Sequence, residues 1–539
     1  MAPNEETDSD LVLRDLIDDH DDKLHEECGV FGIFRHNEAA TLTALGLHAL
    51  QHRGEEACGI VTSEGRQFHI ERHVGLVGDN FNKRKVLERL KGDAAIGHNR
   101  YSTTGDTILH NVQPLFAELS TGGFSIAHNG NLTNYGILRD QLVAQGAIFQ
   151  STSDTEVILH LVSRSRRSGL VERFIDALQQ IEGAYAFVAL TDDMLIGARD
   201  PVGIRPLVLG QLEGSYVLAS ETCALDMIGA TFVREIDNGE IVVITSDGIE
   251  TIRPFDSRPP RPCVFEYIYF ARPDSIVGGQ SVYEVRERMG RELASESPTD
   301  VDVVVPIPDS GVPAALGYAS RMGIPFGFGI IRNHYIGRTF IQPEQRIREL
   351  GVRRKHAANA GVLRGKRIVL IDDSVVRGTT SRKIVQLVRD AGAIEVHMRI
   401  ASPPIMHSDY YGIDTPEPGD LLAARNTLDE MCAGMGADSL AFLSVDGIYR
   451  AIGMMDGRNN AAPQLADHCF TGEYPTLLPD LQEYGAVRTR DFERFENISD
   501  VVHFPEGHKH GTLLQITNDE LERLLESGRH WDVVSQRAR

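Results

Sequence analysis

The sequence is poor in positive charge, and it lacks the patterns that mark several common classes of protein. Its 539 residues include 54 Lys and Arg against 77 Asp and Glu, a formal net charge of -23. A nucleic-acid binder needs a basic surface for the phosphate backbone, so this class is disfavoured. No apolar run approaches the roughly 20 residues that cross a bilayer, so we expect no membrane span.

Cysteine pairs and a secretory signal are also missing. The six cysteines lie at positions 28, 58, 223, 263, 432 and 469, and none forms a Cys-x-x-Cys pair. This scatter argues against a disulfide framework and a simple zinc site, and it favours a reducing, cytoplasmic setting. Residues 1–27 are acidic, without the basic and apolar regions of a signal peptide. They form either a disordered tail or a leader removed before Cys28.

The sequence contains two regions with different predicted patterns of secondary structure. Residues 28–250 alternate short apolar strands with helical stretches, which predicts an α/β segment with antiparallel strands. A proline-rich stretch at 253–261 marks the best domain boundary. Beyond it, continuous apolar runs are each followed by a loop and a helix, as in parallel sheets. The predicted domains are an acidic propeptide (1–27), an N-terminal domain (28–258), a second α/β domain (259–474) and a helical extension (475–539).

Individual elements can also be predicted from these patterns. Expected strands lie at 28–34, 126–131, 184–190, 301–305 and 367–371, and the second of these is expected to enter a turn. Expected helices lie at 42–51 and 154–165.

Cys28 directly follows the acidic stretch and opens the sequence CGVFG. If residues 1–27 are removed, Cys28 carries a free α-amine with an unperturbed pKa of about 7.7–8.0. Such an amine can take the thiol proton and act as general base, so no catalytic histidine is needed. A lone cysteine is more often a buried structural residue. Cys58, the rival nucleophile, lies in a predicted core strand and is assigned to packing.

Four further motifs follow Cys28 in order. They are QHRG at 51–54, GHNRYST at 97–103, HNGN at 128–131 and TSDTE at 152–156. Together with Cys28, the set resembles the class II glutamine amidotransferases. The glutaminase domain of that family is an N-terminal-nucleophile hydrolase, so the resemblance implies an αββα sandwich.

Residue chemistry suggests what these motifs do. Arg100 can hold the α-carboxylate of glutamine in a bidentate fork, and Asp154 can hold the α-ammonium group. Asn129 and the backbone N–H of Gly130 can donate to the oxyanion of a tetrahedral intermediate, with Cys28 as nucleophile. Surface ion pairs and a hairpin turn are the plainer interpretations of the arginines and of Asn129-Gly130. The resemblance adds three residues to the same pocket: Arg53, Tyr101 and Thr103.

A second group of motifs centres on VLIDDSVVRGTTS at 369–381. An apolar strand ends in Asp372 and Asp373, and a loop of Gly, Thr and Ser then enters a helix. Backbone N–H groups and hydroxyls at a helix N-terminus bind phosphate, and the carboxylates can grip ribose hydroxyls directly or through a metal. A Walker B strand is the alternative. However, the run at 361–367 has the wrong spacing for a Walker A loop.

This motif resembles the loop of type I phosphoribosyltransferases that binds 5-phosphoribosyl-1-pyrophosphate (PRPP). The resemblance implies a parallel-sheet α/β domain and Mg²⁺ held by Ser310, Asp372 and Asp373. It also implies that residues 332–342 close over PRPP, whereas the plainer interpretation is a solvated basic segment. The implied PRPP-binding residues are Asp372, Asp373, Ser374, Val375, Val376, Arg377, Gly378, Thr379, Thr380, Ser381, Arg332 and Tyr335.

The two resemblances together imply the amidophosphoribosyltransferase family, over residues 28 to about 475. The implied reaction converts glutamine, PRPP and water to 5-phosphoribosylamine, glutamate and pyrophosphate, the first committed step of purine (IMP) synthesis. Implied partners are these substrates, purine nucleotides as feedback inhibitors, and further copies of the chain in a tetramer or dimer.

Some members of this family carry a [4Fe–4S] cluster on four cysteines. Here Cys263 and Cys469 match two of the ligand positions, while Asp409 and Ala466 stand at the other two. Aspartate is a poor substitute for a thiolate, and alanine offers no ligand atom. We therefore expect the cluster to be absent or held by unusual ligands.

Two other functions share part of this pattern of motifs. The amidotransferase that makes glucosamine 6-phosphate shares the glutaminase half but lacks a loop like 372–381. A PRPP-binding regulator with dead catalysis should lack a catalytic group, yet Cys28, Arg100, Asn129 and Asp154 are all present. A glutaminase assay separates the regulator from the enzyme.

Overall fold

The computed structural model describes residues 25–26, 28–100, 109–333, 356–416, 418–484, 501–503 and 513–515. These residues form two compact units. The N-terminal unit comprises the described parts of 25–263, 409–414 and 474 onward, and the C-terminal unit comprises 264–408 and 415–473. Tyr101, Thr103 and Tyr335 lie outside the described residues.

The strands up to residue 252 are β1 (His25–Glu26), β2 (Cys28–Phe34), β3 (Ala57–Glu64), β4 (Gln67–Val74), β5 (Ala94–Arg100), β6 (Leu115–Leu119), β7 (Gly122–Leu132), β8 (Gly183–Leu190), β9 (Leu195–Arg199), β10 (Val208–Leu212), β11 (Ser215–Ala219), β12 (Thr231–Glu235), β13 (Ile241–Thr245) and β14 (Gly248–Ile252). Those that follow are β15 (Ile276–Val277), β16 (Gln280–Ser281), β17 (Val303–Pro306), β18 (Ile330–Arg332), β19 (His356–Ala358), β20 (Arg367–Asp372), β21 (Glu395–Ile400), β22 (Ile413–Asp414), β23 (Ser439–Phe442), β24 (Val501–His503) and β25 (Leu513–Gln515).

The α-helices are α1 (Ala39–Ala49), α2 (Val77–Asn80), α3 (Arg84–Leu87), α4 (Tyr135–Ala144), α5 (Thr155–Arg164), α6 (Leu170–Leu178), α7 (Thr222–Ile228), α8 (Val282–Glu296), α9 (Val312–Met322), α10 (Ala360–Leu363), α11 (Thr379–Asp390), α12 (Leu422–Arg425), α13 (Leu428–Met435), α14 (Val445–Ala451), α15 (His468–Thr471) and α16 (Pro479–Tyr484). Short 3-10 turns lie at Gln51–Arg53, Leu109–Asn111 and Pro418–Asp420, and a π-helix lies at Glu266–Phe270.

Two antiparallel sheets form the centre of the N-terminal unit. One has the strand order β12-β10-β11-β2-β5-β3-β4, and the other has the order β14-β13-β9-β8-β7-β6. A shared core joins their inner faces, while α1 covers the first sheet and α4, α5 and α6 cover the second. This is the αββα sandwich that the resemblance implied, and that prediction is confirmed.

Strand β2 illustrates how the sequence produces these layers. Because successive side chains of a strand point to opposite faces, one strand can supply two cores. Val30 and Phe34 enter the core between the sheets, whereas Phe31 and Ile33 pack against the helical layer. All four side chains are buried.

The predicted elements of this unit are largely present, with shifted ends. The predicted helix at 42–51 begins earlier, at Ala39, and the predicted strand at 126–131 runs from Gly122 to Leu132. Asn129 and Gly130 therefore lie inside β7, and the expected turn follows the strand at residues 133–134, just after the motif. The strand continues through the motif because β8 pairs with β7 as far as Leu132.

The C-terminal unit is built on a parallel sheet of order β17-β20-β21-β23. Strands β17 and β20 are buried on both faces, which explains their nearly unbroken apolar sequences. The predicted strand at 301–305 is observed at Val303–Pro306, and the one at 367–371 extends to Asp372. The prediction of a parallel-sheet α/β domain is confirmed.

The two units divide between Cys263 and Val264, but segment 409–414 returns to the N-terminal unit. The predicted domain limits at 258 and 474 stay predictions. Beyond 474, the described residues contain α16 and the antiparallel pair β24 and β25. Within the described ranges, every helix is too short or too polar to span a membrane.

Candidate active sites

Cys28 begins β2 and is 1% exposed. In the antiparallel register its partner on β5 is Arg100, which in turn faces Ala57 on β3. The QHRG motif packs from the side, because a Cβ on Gly54 would lie 2.6 Å from the backbone carbon of Arg100. Glycine is thus required at position 54 for close approach. The sheet itself brings the predicted nucleophile and the predicted carboxylate-binding arginine together.

Asn129 contributes a buried amide with unused hydrogen-bonding capacity. The residue is 1% exposed, and its Nδ2 finds no hydrogen-bond partner among the described residues. Leaving such a donor unsatisfied costs about 1–3 kcal/mol of folding stability. Groups retained at that cost are often functional, and an oxyanion is a ligand that this amide could serve.

Gly130 follows in a conformation that excludes other residues. Its φ is +136°, and a Cβ there would lie 2.1 Å from the carbonyl oxygen of Ala184 on β8. Both the left-handed backbone and the close approach demand glycine. The peptide that carries the second predicted oxyanion donor is therefore closely packed on the β8 side.

Arg100 is connected to the segment before Asp154. Its Nη1 donates to the carbonyl oxygen of Asn111 at 2.6 Å. The Asn111 side chain in turn donates to Thr152 Oγ1 at 2.9 Å and accepts from the Thr152 backbone N–H at 3.0 Å. Asn111 thus links Arg100 to Thr152, which lies two residues before the predicted α-ammonium ligand Asp154.

Asp154 occupies the N-cap position of α5 but directs its carboxylate toward β7. Its Oδ2 accepts from the Leu132 backbone N–H at 3.0 Å, and its Oδ1 accepts from Thr155 Oγ1 at 3.2 Å. His128 Nδ1 lies 3.5 Å from Oδ2. The side chain is 16% exposed, so a carboxylate held by β7 remains in partial contact with solvent.

Arg53, the other predicted glutamine-binding arginine, is completely buried. Its Nε donates to the carboxylate of Glu221, which also lies 2.7 Å from His52 Nε2. The guanidinium is thus engaged within the protein, and direct contact with glutamine stays a prediction. Tyr101 and Thr103 fall outside the described residues.

Cys58 behaves as the packing residue that its surroundings predicted. It lies in β3 at 0% exposure, and burial raises the pKa of its thiol to about 12. Near neutral pH the group is protonated, and a protonated thiol is a poor nucleophile. Cys28 is therefore the better candidate.

In the C-terminal unit, a second set of predicted residues meets at the carboxyl edge of the parallel sheet. Pro306 on β17 is the register partner of Ile371 on β20, so both strands end side by side. The loop after β17 brings Ser310 to Asp373, with 2.5 Å between Ser310 Oγ and Asp373 Oδ1. Ser374 Oγ donates to the other oxygen of Asp373 at 2.9 Å. Ligands of open α/β sheets bind at this edge.

The following loop leads into α11 as the motif predicted. Gly378 takes a φ of +79° at the N-cap position, and the helix starts at Thr379. Val375 and Val376 are each only 4% exposed, so their side chains are buried beneath the loop. The hydroxyl and backbone groups at the start of α11 suit a phosphate. The other predicted members of this loop are Arg377, Thr380 and Ser381.

Of the predicted closing segment, 332–342, only the first two residues are described. Arg332 ends β18, and its Nη1 donates to Asp309 Oδ2 at 2.6 Å. Both side chains are about half exposed, so this ion pair is weak and easily exchanged for another partner. Tyr335 and the rest of the segment lie outside the described residues.

The available donor atoms fit one of the two implied metal centres but not the other. Ser310, Asp372 and Asp373 offer only oxygen, and both carboxylates are at most 5% exposed, which fits Mg²⁺. A [4Fe–4S] cluster does not fit, because Ala466 has no donor. In addition, Asp409 Oδ1 already accepts from two backbone N–H groups. The thiols of Cys263 and Cys469 are each buried.

Sequence reasoning missed several residues that shape these sites. Asn111 and Glu221 belong to no motif, and only the folded chain shows that they bind Arg100 and Arg53. His128 is the first residue of the HNGN motif, so its position next to Asn129 is evident from the sequence. Its proximity to Asp154 is evident only from the structure.

Comparison with known proteins agrees with this architecture. Residues 98–227 match the glutamine amidotransferase domain family, and residues 279–401 match the phosphoribosyl transferase domain family. The amidophosphoribosyltransferase of Rhizobium etli is 60% identical over 465 residues, which covers 85% of this chain and 94% of that protein. The amidophosphoribosyltransferase of Bacillus subtilis is 47% identical over 474 residues, covering 87% and 98%.

A solved structure supports the same assignment. It is the glutamine PRPP amidotransferase from B. subtilis complexed with ADP and GMP, at 46% identity and a TM-score of 0.79, covering 84% of this chain and 98% of that one. The two-domain architecture, the ordered motifs and the sequence identity along most of the chain lead to one conclusion. The chain belongs to the amidophosphoribosyltransferase family.

Proposed function

We propose that the chain transfers the amide nitrogen of glutamine to C1 of PRPP, giving 5-phosphoribosylamine, glutamate and pyrophosphate in the first committed step of purine synthesis. The observation that carries this proposal is the acidic pair Asp372–Asp373, which ends a buried parallel strand and is followed by the N-terminus of α11. A glutaminase that makes glucosamine 6-phosphate has no use for such a loop.

The glutaminase half-reaction begins at Cys28. Once residues 1–27 are removed, the α-amine of Cys28 takes the thiol proton, and the sulfur attacks the glutamine amide. Arg100 and Asp154 hold the α-carboxylate and α-ammonium groups, while Asn129 Nδ2 and the Gly130 N–H stabilise the oxyanion. Ammonia leaves, and water then releases glutamate from the thioester.

The second half-reaction takes place at the carboxyl edge of the parallel sheet. Asp372 and Asp373 bind the ribose hydroxyls of PRPP, and the N-terminus of α11 binds its 5-phosphate. Ser310, Asp372 and Asp373 are the proposed ligands of Mg²⁺, which when bound neutralises the leaving pyrophosphate. Arg332 and Tyr335 belong to the proposed covering segment, which excludes water from C1.

The proposed function also includes inhibition by nucleotides, assembly into a homo-oligomer and a cytoplasmic location. The B. subtilis relative was solved with ADP and GMP, and a loop that binds ribose 5-phosphate suits any purine mononucleotide. We therefore assign purine nucleotides as feedback inhibitors. We also propose a cytoplasmic enzyme that forms a homo-oligomer, a tetramer or a dimer.

Two variants test the assignment by opposite patterns of loss. Cys28→Ala should abolish glutamine-dependent synthesis and keep synthesis from ammonia at high pH, because the nucleophile serves only glutamine. Asp372→Asn should impair both kinds of synthesis and keep basal glutamine hydrolysis. The measurements are pyrophosphate release and glutamate formation in parallel assays. Equal loss of every activity in both variants contradicts the two-site assignment.

A further inference from the structure

Six residues from a distant part of the chain pack against the proposed oxyanion site. Residues 409–414, here called the inserted segment, belong to the N-terminal unit, although the chain on either side of them belongs to the other unit. Asn131 Nδ2 donates to the carbonyl oxygen of Tyr410 at 3.0 Å. The inserted segment therefore contacts β7 one residue beyond Gly130.

Gly412 of the inserted segment lies against the backbone of Gly130, the residue whose N–H is the proposed oxyanion donor. The φ of Gly412 is +113°, and a Cβ at this position would lie 3.1 Å from the carbonyl carbon of Gly130 and 3.2 Å from its Cα. Ala184 approaches Gly130 from β8, as described above. Gly130 is thus held between a neighbouring strand and the inserted segment, and both contacts require glycine, which has no side chain.

Asp409 holds the inserted segment in shape. Its Oδ1 accepts from the backbone N–H groups of Tyr411 and Ile413 at 2.7 and 2.8 Å, and its side chain is completely buried. Arg205, also completely buried, donates to the Tyr411 carbonyl oxygen through Nε at 3.0 Å and through Nη2 at 2.9 Å. A buried charge is retained when it is fully bonded, and these bonds fold the segment into one conformation.

From these contacts we propose that Asp409 and Gly412 are positioning residues for glutamine hydrolysis, through the Gly130 peptide. The proposal rests on the proposed function, in which that peptide donates to the oxyanion. Donors in such a site act only at hydrogen-bonding distance from the transition-state oxygen, and a misplacement of about 1 Å can cost roughly 100-fold in rate. Asp409 stands where some members of the family have a cysteine ligand of the [4Fe–4S] cluster. In this chain its carboxylate instead organises the backbone beside the proposed glutaminase site.

Three substitutions and one control separate positioning from general stability. Gly412→Ala forces its new Cβ against Gly130, and Asp409→Ala removes the bonds to Tyr411 and Ile413. Asp409→Asn keeps an oxygen that can accept them, so it should rescue most of the activity. The control is Glu240→Ala, which removes another buried carboxylate that accepts a backbone N–H and pairs with an arginine. Glu240 precedes β13, three strands from β7 in the sheet.

The readouts are kcat and KM for glutamine hydrolysis, the inhibition constant of glutamate γ-semialdehyde, and synthesis from ammonia. The aldehyde adds to the Cys28 thiol, and the resulting oxyanion mimics the transition state. We expect Gly412→Ala and Asp409→Ala to lower kcat and to weaken binding of the aldehyde, each about 10- to 100-fold. KM for glutamine and ammonia-dependent synthesis should be nearly unchanged. Glu240→Ala should lower the melting temperature and leave kcat unchanged.

Each other outcome counts against an identifiable claim. The positioning proposal is overturned if Gly412→Ala keeps the wild-type kcat and aldehyde affinity. It is also overturned if KM and ammonia-dependent synthesis change as much as kcat does. If Asp409→Ala does not fold, the comparison of Gly412→Ala with Glu240→Ala decides. A wild-type protein without any glutaminase activity refutes the proposed function itself.

Discussion

Cys28 and Arg100 are register partners on adjacent antiparallel strands, β2 and β5. Opposed residues in such a ladder have Cα atoms about 4.5–5.5 Å apart, so the backbone hydrogen bonds set their separation. The proposed nucleophile and the arginine proposed to bind substrate therefore belong to one rigid framework. Sites supported in this way are better defined than sites on loops.

Asn129→Ala tests the oxyanion assignment most directly. Loss of one such donor lowers kcat by roughly 10²–10³-fold in other enzymes, and we expect a similar fall for glutamine hydrolysis, with little change in KM. Asn238→Ala is the matched control. Among the described hydrogen bonds, the Asn238 amide donates only to the carbonyl oxygens of Pro201 and Arg258 near the surface. Steady-state glutaminase kinetics decide, and a wild-type kcat in Asn129→Ala refutes the assignment.

Maturation should expose Cys28 as the N-terminal residue. Residues 1–27 are acidic, and the motifs that resemble those of amide hydrolases begin directly after Glu27. A free α-amine supplies the general base, so the uncleaved chain should lack glutaminase activity. Intact-mass measurement of the active enzyme checks this, and full activity in a protein that retains residues 1–27 contradicts it.

Thiol alkylation should distinguish Cys28 from Cys58. Burial raises the pKa of Cys58 to about 12. The thiolate is the reactive form, and at pH 8 it makes up only roughly one part in ten thousand of such a thiol. Iodoacetamide should therefore modify Cys28 in the mature enzyme and leave Cys58 unmodified until the chain unfolds. Peptide mass mapping with and without glutamine measures both, and rapid labelling of Cys58 in the folded enzyme refutes the expectation.

Ser310→Ala should weaken the use of PRPP. The hydroxyl donates to Asp373, which is a proposed ligand of both Mg²⁺ and ribose, so its loss removes one of the two hydroxyl hydrogen bonds that orient that carboxylate. We expect a several-fold higher KM for PRPP, a stronger Mg²⁺ requirement and unchanged basal glutamine hydrolysis. Ser295→Ala, on the exposed face of α8, serves as control. Unaltered PRPP and Mg²⁺ dependence in Ser310→Ala removes Ser310 from the site.

Purine mononucleotides should inhibit in competition with PRPP. A nucleotide whose phosphate binds at the loop 374–381 occupies the ribose 5-phosphate site, so that raising PRPP should relieve the inhibition. The alternative is a loop that selects PRPP through its pyrophosphate. Steady-state kinetics with AMP and GMP at several PRPP concentrations test this. Inhibition that does not respond to PRPP, or none at millimolar nucleotide, refutes it.

Much of the site could be predicted because its chemistry is local in sequence. The strand that ends in Asp372 and Asp373, the glycine that opens α11 and the HNGN motif each carry their signal within a few residues. Local patterns also predicted β2, β8 and β20 with small errors at their ends, since alternating or continuous apolar residues follow directly from burial on one or two faces.

The sequence by itself determined the fold class, the two half-sites and the candidate nucleophile, since these depend on residue type and short spacing. Only the tertiary structure decided that β8 pairs with β7 as far as Leu132 and that Asn111 links Arg100 to Thr152. It also placed Asp409 and Gly412 beside β7, although about 280 residues separate them from Gly130. Contacts between residues so far apart arise from sheet pairing and packing, for which a single sequence carries no local pattern.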